Sequence, residues 1–408
     1  MALPTTIEII MVQLENNMER LNYILAAILL VSACGRQTKQ LPRHPEPTRP
    51  PTAQPTAEPT SVPTADPTAE PKPDAVDDIY GKAVPVSVSW RTENGTVYYK
   101  GKPVKLTGIN WFGFETGELV VHGLWTGRTM DSFLAQIAEI GFTSLRIPVA
   151  PEVFWQQKAL ANLHMFTTAA EAHGLSILLD LHNCSPRENL QGSPGGCAGY
   201  SIDKWYATLS DMALFSVQHP NVLGIDIFNE PHQLSWKTWR DLATEAGKRI
   251  LGVNPHILVF VEGVAGNNTD SGGWPAFWGE NLVEAGRNPP GIPKSRLVLS
   301  PHVYGPSVSY QGYFSAWDFP NNMPQIWDAH FGYLVGMGYT LIVGEFGGRY
   351  TGKDKQWADK FVEYLGSKGM KDFYYWSLNP NSGDTGGILL DDWKSVNQDK
   401  MSLLKRIF

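Results

Sequence analysis

The chain has 408 residues, 42% hydrophobic and 11% aromatic, which is enough apolar mass for one sizeable core. Its net charge of −7 gives a nucleic-acid partner no electrostatic support, and a neutral substrate needs no charge steering. Fourteen tryptophans is a high number. Sugars are a common reason to expose tryptophan, because their apolar faces stack on aromatic rings. At least half of these rings are expected to serve only as core.

Residues 1–34 have the form of an export signal. The stretch Leu21–Ala33 is apolar apart from Asn22 and Ser32 and follows Arg20. It is shorter than the roughly 20 apolar residues a bilayer span needs. It fits the apolar region of a signal peptide, with Met11 and Met18 as alternative starts. Val31-Ser32-Ala33-Cys34 resembles a bacterial lipoprotein cleavage site, which makes Cys34 a candidate for lipidation. Plain secretion is the alternative. Either route predicts an extracellular or cell-surface protein, touching the membrane only through that anchor.

Residues 35–83 form a spacer. The repeated Pro-Thr units carry almost no apolar mass, so the segment cannot offset its ordering entropy and stays extended. Thr-Pro density suits O-glycosylation. Export would place Cys184 and Cys197 in an oxidising compartment. They flank a loop rich in Pro and Gly, and a disulfide between them would contribute roughly 3 kcal/mol by the loop-entropy model. Two unpaired thiols are the alternative. No Cys/His spacing suggests a metal, and neither metal nor cofactor is expected.

Residues 84–408 are expected to fold as one domain, with no separate carbohydrate-binding module and no partner subunit. Residues 86–104 read as a β-hairpin around Glu93-Asn94-Gly95. Eight apolar strands follow, at 105–110, 144–150, 176–182, 222–230, 257–263, 296–304, 340–347 and 372–379. Continuous apolar runs fit parallel strands covered on both faces. Helical spacing between them aligns Phe133, Ile137 and Ile140 before Gly141. It likewise aligns Trp239, Leu242, Ala246 and Ile250 before Gly252, and then Trp357, Phe361 and Leu365. The pattern predicts an α/β fold, a (β/α)8 TIM barrel of roughly 320 residues. A doubly wound open sheet is the alternative, and no Gly-rich phosphate fingerprint supports a nucleotide-binding version of it.

In a barrel, side chains at the C-terminal strand ends surround the active site. Here those ends carry Arg146, His182, Asn229, Glu230, His302, Tyr304, Glu345 and Trp376. A lone carboxylate on an apolar strand is costly to bury. Two, Glu230 and Glu345, three strands apart, could face each other across the barrel mouth. Retaining glycosidases need two carboxyls about 5–5.5 Å apart, one ionised and one protonated. Arg146 and Tyr304 are placed to keep one of them charged.

Asn229-Glu230-Pro231 after strand four, with Glu345 in Gly-Glu-Phe-Gly after strand seven, resembles the glycoside hydrolase family five cellulases. Arg146 in LRIP, His182 in LDLH, His302 and Tyr304 in PHVY, and Trp376 extend the match. The segments NWFGFET, VHGLW, WGENL and NSGDTGGILLDDW are similar to actinobacterial-type endoglucanases of that family. The resemblance covers about residues 95–395. It implies Glu345 as nucleophile, Glu230 as acid/base and Asn229 on the sugar 2-hydroxyl. It implies Arg146 and Tyr304 orienting Glu345, and His182 and His302 on the sugar or the acid's network. Trp376 would be the floor of the central subsite, with Trp125 and Trp278 as platforms at flanking ones. Close family members carry Cys where this chain has Gly117, so a disulfide tether of that loop is not expected here, and the shape of that side of the cleft is open.

The expected activity is hydrolysis of internal β-1,4-glucosidic bonds of cellulose or soluble β-glucans. Another β-1,4-glycan, mannan or xyloglucan, is the alternative among enzymes. A non-catalytic glycan-binding surface protein is the alternative outside them, though a binder has no use for a costly buried acid pair.

Overall fold

Residues 90–186, 192–266 and 270–408 are described by a computed structural model. The segments read as an export signal (1–34, with Cys34) and as a spacer (35–83) lie outside the described residues. The chain begins with β1 (Trp90–Glu93), β2 (Thr96–Tyr99) and β3 (Lys102–Val104), an antiparallel three-stranded meander rather than the single hairpin expected. The difference arises at Lys100-Gly101, where both residues take positive φ and turn the chain a second time. The meander closes the N-terminal end of the barrel. Trp90 donates from its backbone N–H to the His256 carbonyl at 2.8 Å and from its indole to the Pro220 carbonyl at 3.0 Å.

The main sheet runs through β4 (Thr107–Asn110), β5 (Ser144–Val149), β6 (Ser176–Leu181), β7 (Val222–Asp226) and β8 (Leu258–Val261). It continues through β11 (Leu297–Leu299), β12 (His302–Tyr304), β13 (Val343–Gly347) and β14 (Phe373–Tyr375), all paired in parallel. These nine segments are eight strands, because the sixth strand is interrupted at Ser300-Pro301. Its first part, β11, pairs with β8 and its second part, β12, pairs with β13. Proline has no N–H for the ladder, so the break falls where a bond would be missing. Bonds from Leu299 N–H to the Thr340 carbonyl and from Gly344 N–H to the Pro301 carbonyl, 3.0 and 3.1 Å, close the ring.

Helices α1 (Met130–Ile140), α2 (Glu152–Trp155), α3 (Gln157–Ala172), α4 (Ile202–Gln218), α5 (Trp236–Val253), α6 (Met323–His330), α7 (Gly352–Lys368) and α8 (Gln398–Leu404) accompany the strands. α1 buries Phe133, Leu134 and Ile137 and ends at Gly141, while Ile140 is only half-buried. α5 runs through Gly252, and Asn254 caps it in extended conformation. Between β8 and β11 the described residues contain no helix. That connection carries the antiparallel pair β9 (Val264–Gly266) and β10 (Ala276–Asn281) instead. Among the described residues, no helix is long and apolar enough to cross a membrane.

Strand alternation divides the core in two. Outward residues such as Leu145, Ile147, Ile177 and Leu179 meet the helices. Inward residues Leu178, Leu223, Leu258, Phe260, Val298, Ile342 and Tyr374 fill the lower barrel against Trp90 and Val97. One step up each strand, the inward positions become polar: Asn110, Arg146, Asp180, Asp226, Glu262 and His302, all buried. The apolar plug thus forms a dry floor for a polar layer. Eight of the fourteen tryptophans are buried, so more than half are packing groups.

Candidate active site

Arg146 is the hub of the polar layer and is fully buried. Its Nη1 lies 2.5 Å from Glu345 Oε1, and its Nη2 lies 2.9 Å from Asp226, 3.2 Å from Asp180 and 3.2 Å from Glu262. It also donates to Asn110 Oδ1 and Asn229 Oδ1, both at 3.1 Å. Burial opposes its charge, but Asp180, Asp226, Glu345 and Glu262 more than offset that and hold the guanidinium firmly protonated.

Glu345 reaches this layer through an irregularity in β13. Val343 and Phe346 both face the outer core, and pairing with β14 is irregular between them. A bulge of this kind re-aims side chains. Gly344 backs against Ser300 and His302, where a Cβ would sit 2.5 Å from Ser300 Oγ, so glycine is required there. Glu345 accepts from the Tyr304 hydroxyl at 2.5 Å on its other oxygen. Burial raises its pKa, while Arg146, His182 and the Tyr304 bond oppose the rise.

Glu230 stands four residues past the end of β7 at φ 49°, in the left-handed region that non-glycine residues rarely adopt. Its backbone N–H is held by Glu262 Oε2 at 2.8 Å. Its side chain is 19% exposed, against 4% for Glu345, so it opens toward the cleft. Burial, and then the charge on Glu345, push its pKa up to about 8. His302 Nδ1 lies 3.3 Å from Glu230 and 3.7 Å from Glu345. One polar atom from each of Glu230, His302 and Glu345 falls within 4.8 Å of the others. Such spacing also suits a cation, but the fixed cation here is Arg146, already bonded to Glu345.

The aromatic surface lies beside these acids. Trp376 is half-buried and stacks on His182 at 5.7 Å and on Phe112 at 5.5 Å, and its indole donates to Ser382 at 3.1 Å. His182 donates to Asp180 at 2.7 Å. Burial opposes a charge on this imidazole, but Asp180 and then Glu345 raise its pKa to about 9, so it is a second cation near the pair. Trp278 is exposed on β10 and stacks on His232 at 3.8 Å, and His232 bonds the Glu230 carbonyl at 2.7 Å. Trp125 is 60% exposed and makes edge contacts with His122 and Trp393. It connects to Trp376 through His122 and Phe112. Cys184 and Cys197 are joined as a disulfide with Cα atoms 6.2 Å apart, and residues 187–191 between them lie outside the described residues.

A family model described as cellulase (glycosyl hydrolase family 5) matches residues 97–382. The chain belongs to glycosyl hydrolase family 5. It is therefore a glycoside hydrolase, and the matched span covers the barrel from β2 to beyond β14. The major extracellular endoglucanase of Xanthomonas campestris is 41% identical over 76% of this chain and 68% of its own length. An endoglucanase of Paenibacillus polymyxa is 37% identical over 77% of this chain and 85% of its own. Among solved structures, the hyperthermophilic endocellulase of Pyrococcus horikoshii superposes with a TM-score of 0.74 at 34% identity, covering 80% of this chain and all of that one. A variant of that endocellulase in complex with cellotetraose gives 0.73 at 35% identity, with the same coverage.

Within this family 5 site, reasoning from sequence missed Asn110, Asp180, Asp226 and Glu262. Each is a polar residue within or just past an apolar strand, at the same level as Arg146. The signal was present in LLDLH, GIDIFNE and FVEG, where an acid interrupts a run that should be wholly apolar. Glu115 was missed as well. It is buried two residues beyond Gly113, whose N–H it accepts at 2.7 Å, and burial pushes its pKa up to about 7.

Proposed function

We propose that this family 5 hydrolase cleaves internal β-1,4-glucosidic bonds of cellulose or soluble β-glucans by double displacement with retention of configuration. The observation that carries the reading is the pair Glu230 and Glu345, with oxygens within 4.8 Å and unequal surroundings. A gap this short suits direct attack by one carboxylate, whereas inverting pairs stand about 6.5–9.5 Å apart to admit a water.

In the first step Glu345 attacks the anomeric carbon as Glu230 protonates the departing glycosidic oxygen, and the C–O bond breaks. In the second, Glu230 takes a proton from water, the water oxygen bonds to the anomeric carbon and the bond to Glu345 breaks. Arg146 and the Tyr304 hydroxyl keep Glu345 ionised and aimed, because each bonds a different oxygen. At Glu230, burial and the Glu345 charge outweigh the more distant His182 and Arg146, so it keeps its proton, which an acid needs. Asn229 is fixed by Arg146 with its amide nitrogen free to meet a sugar 2-hydroxyl. Trp376 would floor the central subsite. Trp278, tied to Glu230 through His232, would serve the leaving-group side, and Trp125 the other.

The named relatives are endoglucanases, and a solved neighbour holds cellotetraose, which supports glucan over mannan or xyloglucan. The Xanthomonas relative is described as extracellular, which fits the export segment read in residues 1–34. Lipidation at Cys34 and a spacer over 35–83 would then hold the domain away from the cell surface.

Purified protein should lower the viscosity of carboxymethylcellulose rapidly while few reducing ends accumulate, with far slower release from mannan and xyloglucan. Preferred release from mannan would overturn the substrate assignment. Viscosity falling only in step with reducing ends would overturn internal cleavage.

A further inference from the structure

Glu262 is fully buried just past β8 and takes no part in the chemistry described above. Its surroundings nevertheless connect it to the acid/base in two ways. Oε2 accepts the backbone N–H of Glu230 at 2.8 Å, at the residue whose φ is 49°. Oε1 stands 3.1 Å from His302 Nε2 and 3.2 Å from Arg146 Nη2. Behind it, the Trp239 indole donates to the Glu262 carbonyl at 2.9 Å and fixes the main chain. Gly279, at φ 75°, lies so close that a Cβ would collide with Glu262 Oε2. The pocket is therefore shaped around this one carboxyl group.

The imidazole of His302 imposes a proton count. Its Nδ1 faces Glu230 and Glu345, and at least one of these is ionised at every stage of the proposed reaction, so Nδ1 carries a proton. Its Nε2 is buried, has no hydrogen-bond partner among the described residues, and stands 3.1 Å from Glu262 Oε1. Burial, the Arg146 charge and the His182 charge all disfavour an imidazolium, so the ring is neutral and Nε2 is an acceptor. An acceptor opposite Glu262 Oε1 needs a proton on that oxygen. The groups facing Glu262 agree: burial, then Asp226, raise its pKa strongly, with Glu230 and Asp180 adding and Arg146 opposing.

Building on the acid/base role of Glu230, we propose that Glu262 is a positioning residue held as the carboxylic acid. It donates its Oε1 proton to His302 Nε2 while its carbonyl oxygen grips the Glu230 backbone. The imidazole proton is thereby locked on Nδ1, aimed at the two working carboxyls. When Glu230 surrenders its proton, Nδ1–H is already in place to receive the new carboxylate. No second charge moves, so the acid regains its proton in the following step without reorganising the layer.

The test is a pair of variants on the whole chain. Glu262→Gln keeps one N–H for Nε2 and one C=O for the Glu230 N–H, and loses only the acceptor that Oε1 offers Arg146 Nη2. Its kcat should stay within about threefold of wild type, and its pH profile should be unchanged. Glu262→Leu removes both bonds. It should lose roughly 30-fold in kcat with KM nearly constant, and the basic limb of its profile should move. If Gln is as damaging as Leu, the site needs an ionised Glu262 and the proposal fails. It also fails if Leu leaves kcat and the pH profile untouched. Infrared difference spectra at neutral pH give a readout that needs neither activity nor the Leu variant. The wild-type minus Glu262→Gln difference should contain a buried carboxylic C=O band beyond the one that Glu230 contributes to both proteins, and its absence would overturn the assignment. A wild-type chain that hydrolysed no glycan would instead sink the acid/base reading, while the infrared band would still report the state of Glu262.

Discussion

Glu345→Ala should abolish hydrolysis, with kcat falling by on the order of 10⁴-fold or more, because no other group reaches the anomeric carbon from that face. The fold should survive. Burial raises the Glu345 pKa above its ordinary value of 4.5. A raised carboxyl favours folding below 4.5, and that contribution is lost as pH rises through the folded-state value. At neutral pH the ionised side chain is therefore a net burden on the native state, and Arg146 keeps Asp180, Asp226 and Glu262 when it goes. The melting temperature at pH 7 should change by only a few degrees. Added azide should restore turnover of an activated aryl cellobioside, since a small anion fits the vacated space, and the product should be the inverted glycosyl azide. Wild-type release of reducing ends by this variant would remove Glu345 from the mechanism.

Glu230→Gln should separate substrates by leaving group. On cellooligosaccharides the loss should be about 10³-fold, within the range for a positioned general acid. On a dinitrophenyl cellobioside, whose leaving group needs no proton, kcat/KM should stay within roughly tenfold of wild type. The pH dependence provides a second check. Burial and the Glu345 charge push the Glu230 pKa up to about 8, so wild-type kcat/KM on oligosaccharides should fall as pH rises through about 8. The residual activity of Glu230→Gln should pass through that range without a step. Equal losses on both substrates, or a basic limb that survives the substitution, would assign the acid to another group.

The barrel and its acid pair were legible for a common reason. Parallel strands buried on both faces must be apolar throughout, so an acid at the end of such a run stands out. Glu230 and Glu345 do so, and the eight strand locations hold. The details that place them are set by tertiary contact. Nothing local in VGEFG announces that Gly344 and Glu345 both turn inward, since the cause is the crowding of Gly344 against Ser300 and His302. The break at Ser300-Pro301 could have been inferred, because a proline in a central strand argues against continuity. The β9 and β10 pair was hidden because WGENL has neither the period of a helix nor that of a sheet. Asp180, Asp226 and Glu262 were passed over because each looks unaffordable alone. Only the barrel, by closing, brings Arg146 into the midst of all three.

The stereochemistry of the first product tests the central claim most directly. Proton NMR of a cellooligosaccharide digest should show the newly formed reducing end as the β-anomer, with the α-anomer growing in only as mutarotation proceeds. Initial release of the α-anomer would mean that water, and not Glu345, attacks the sugar, and the double-displacement account would be wrong.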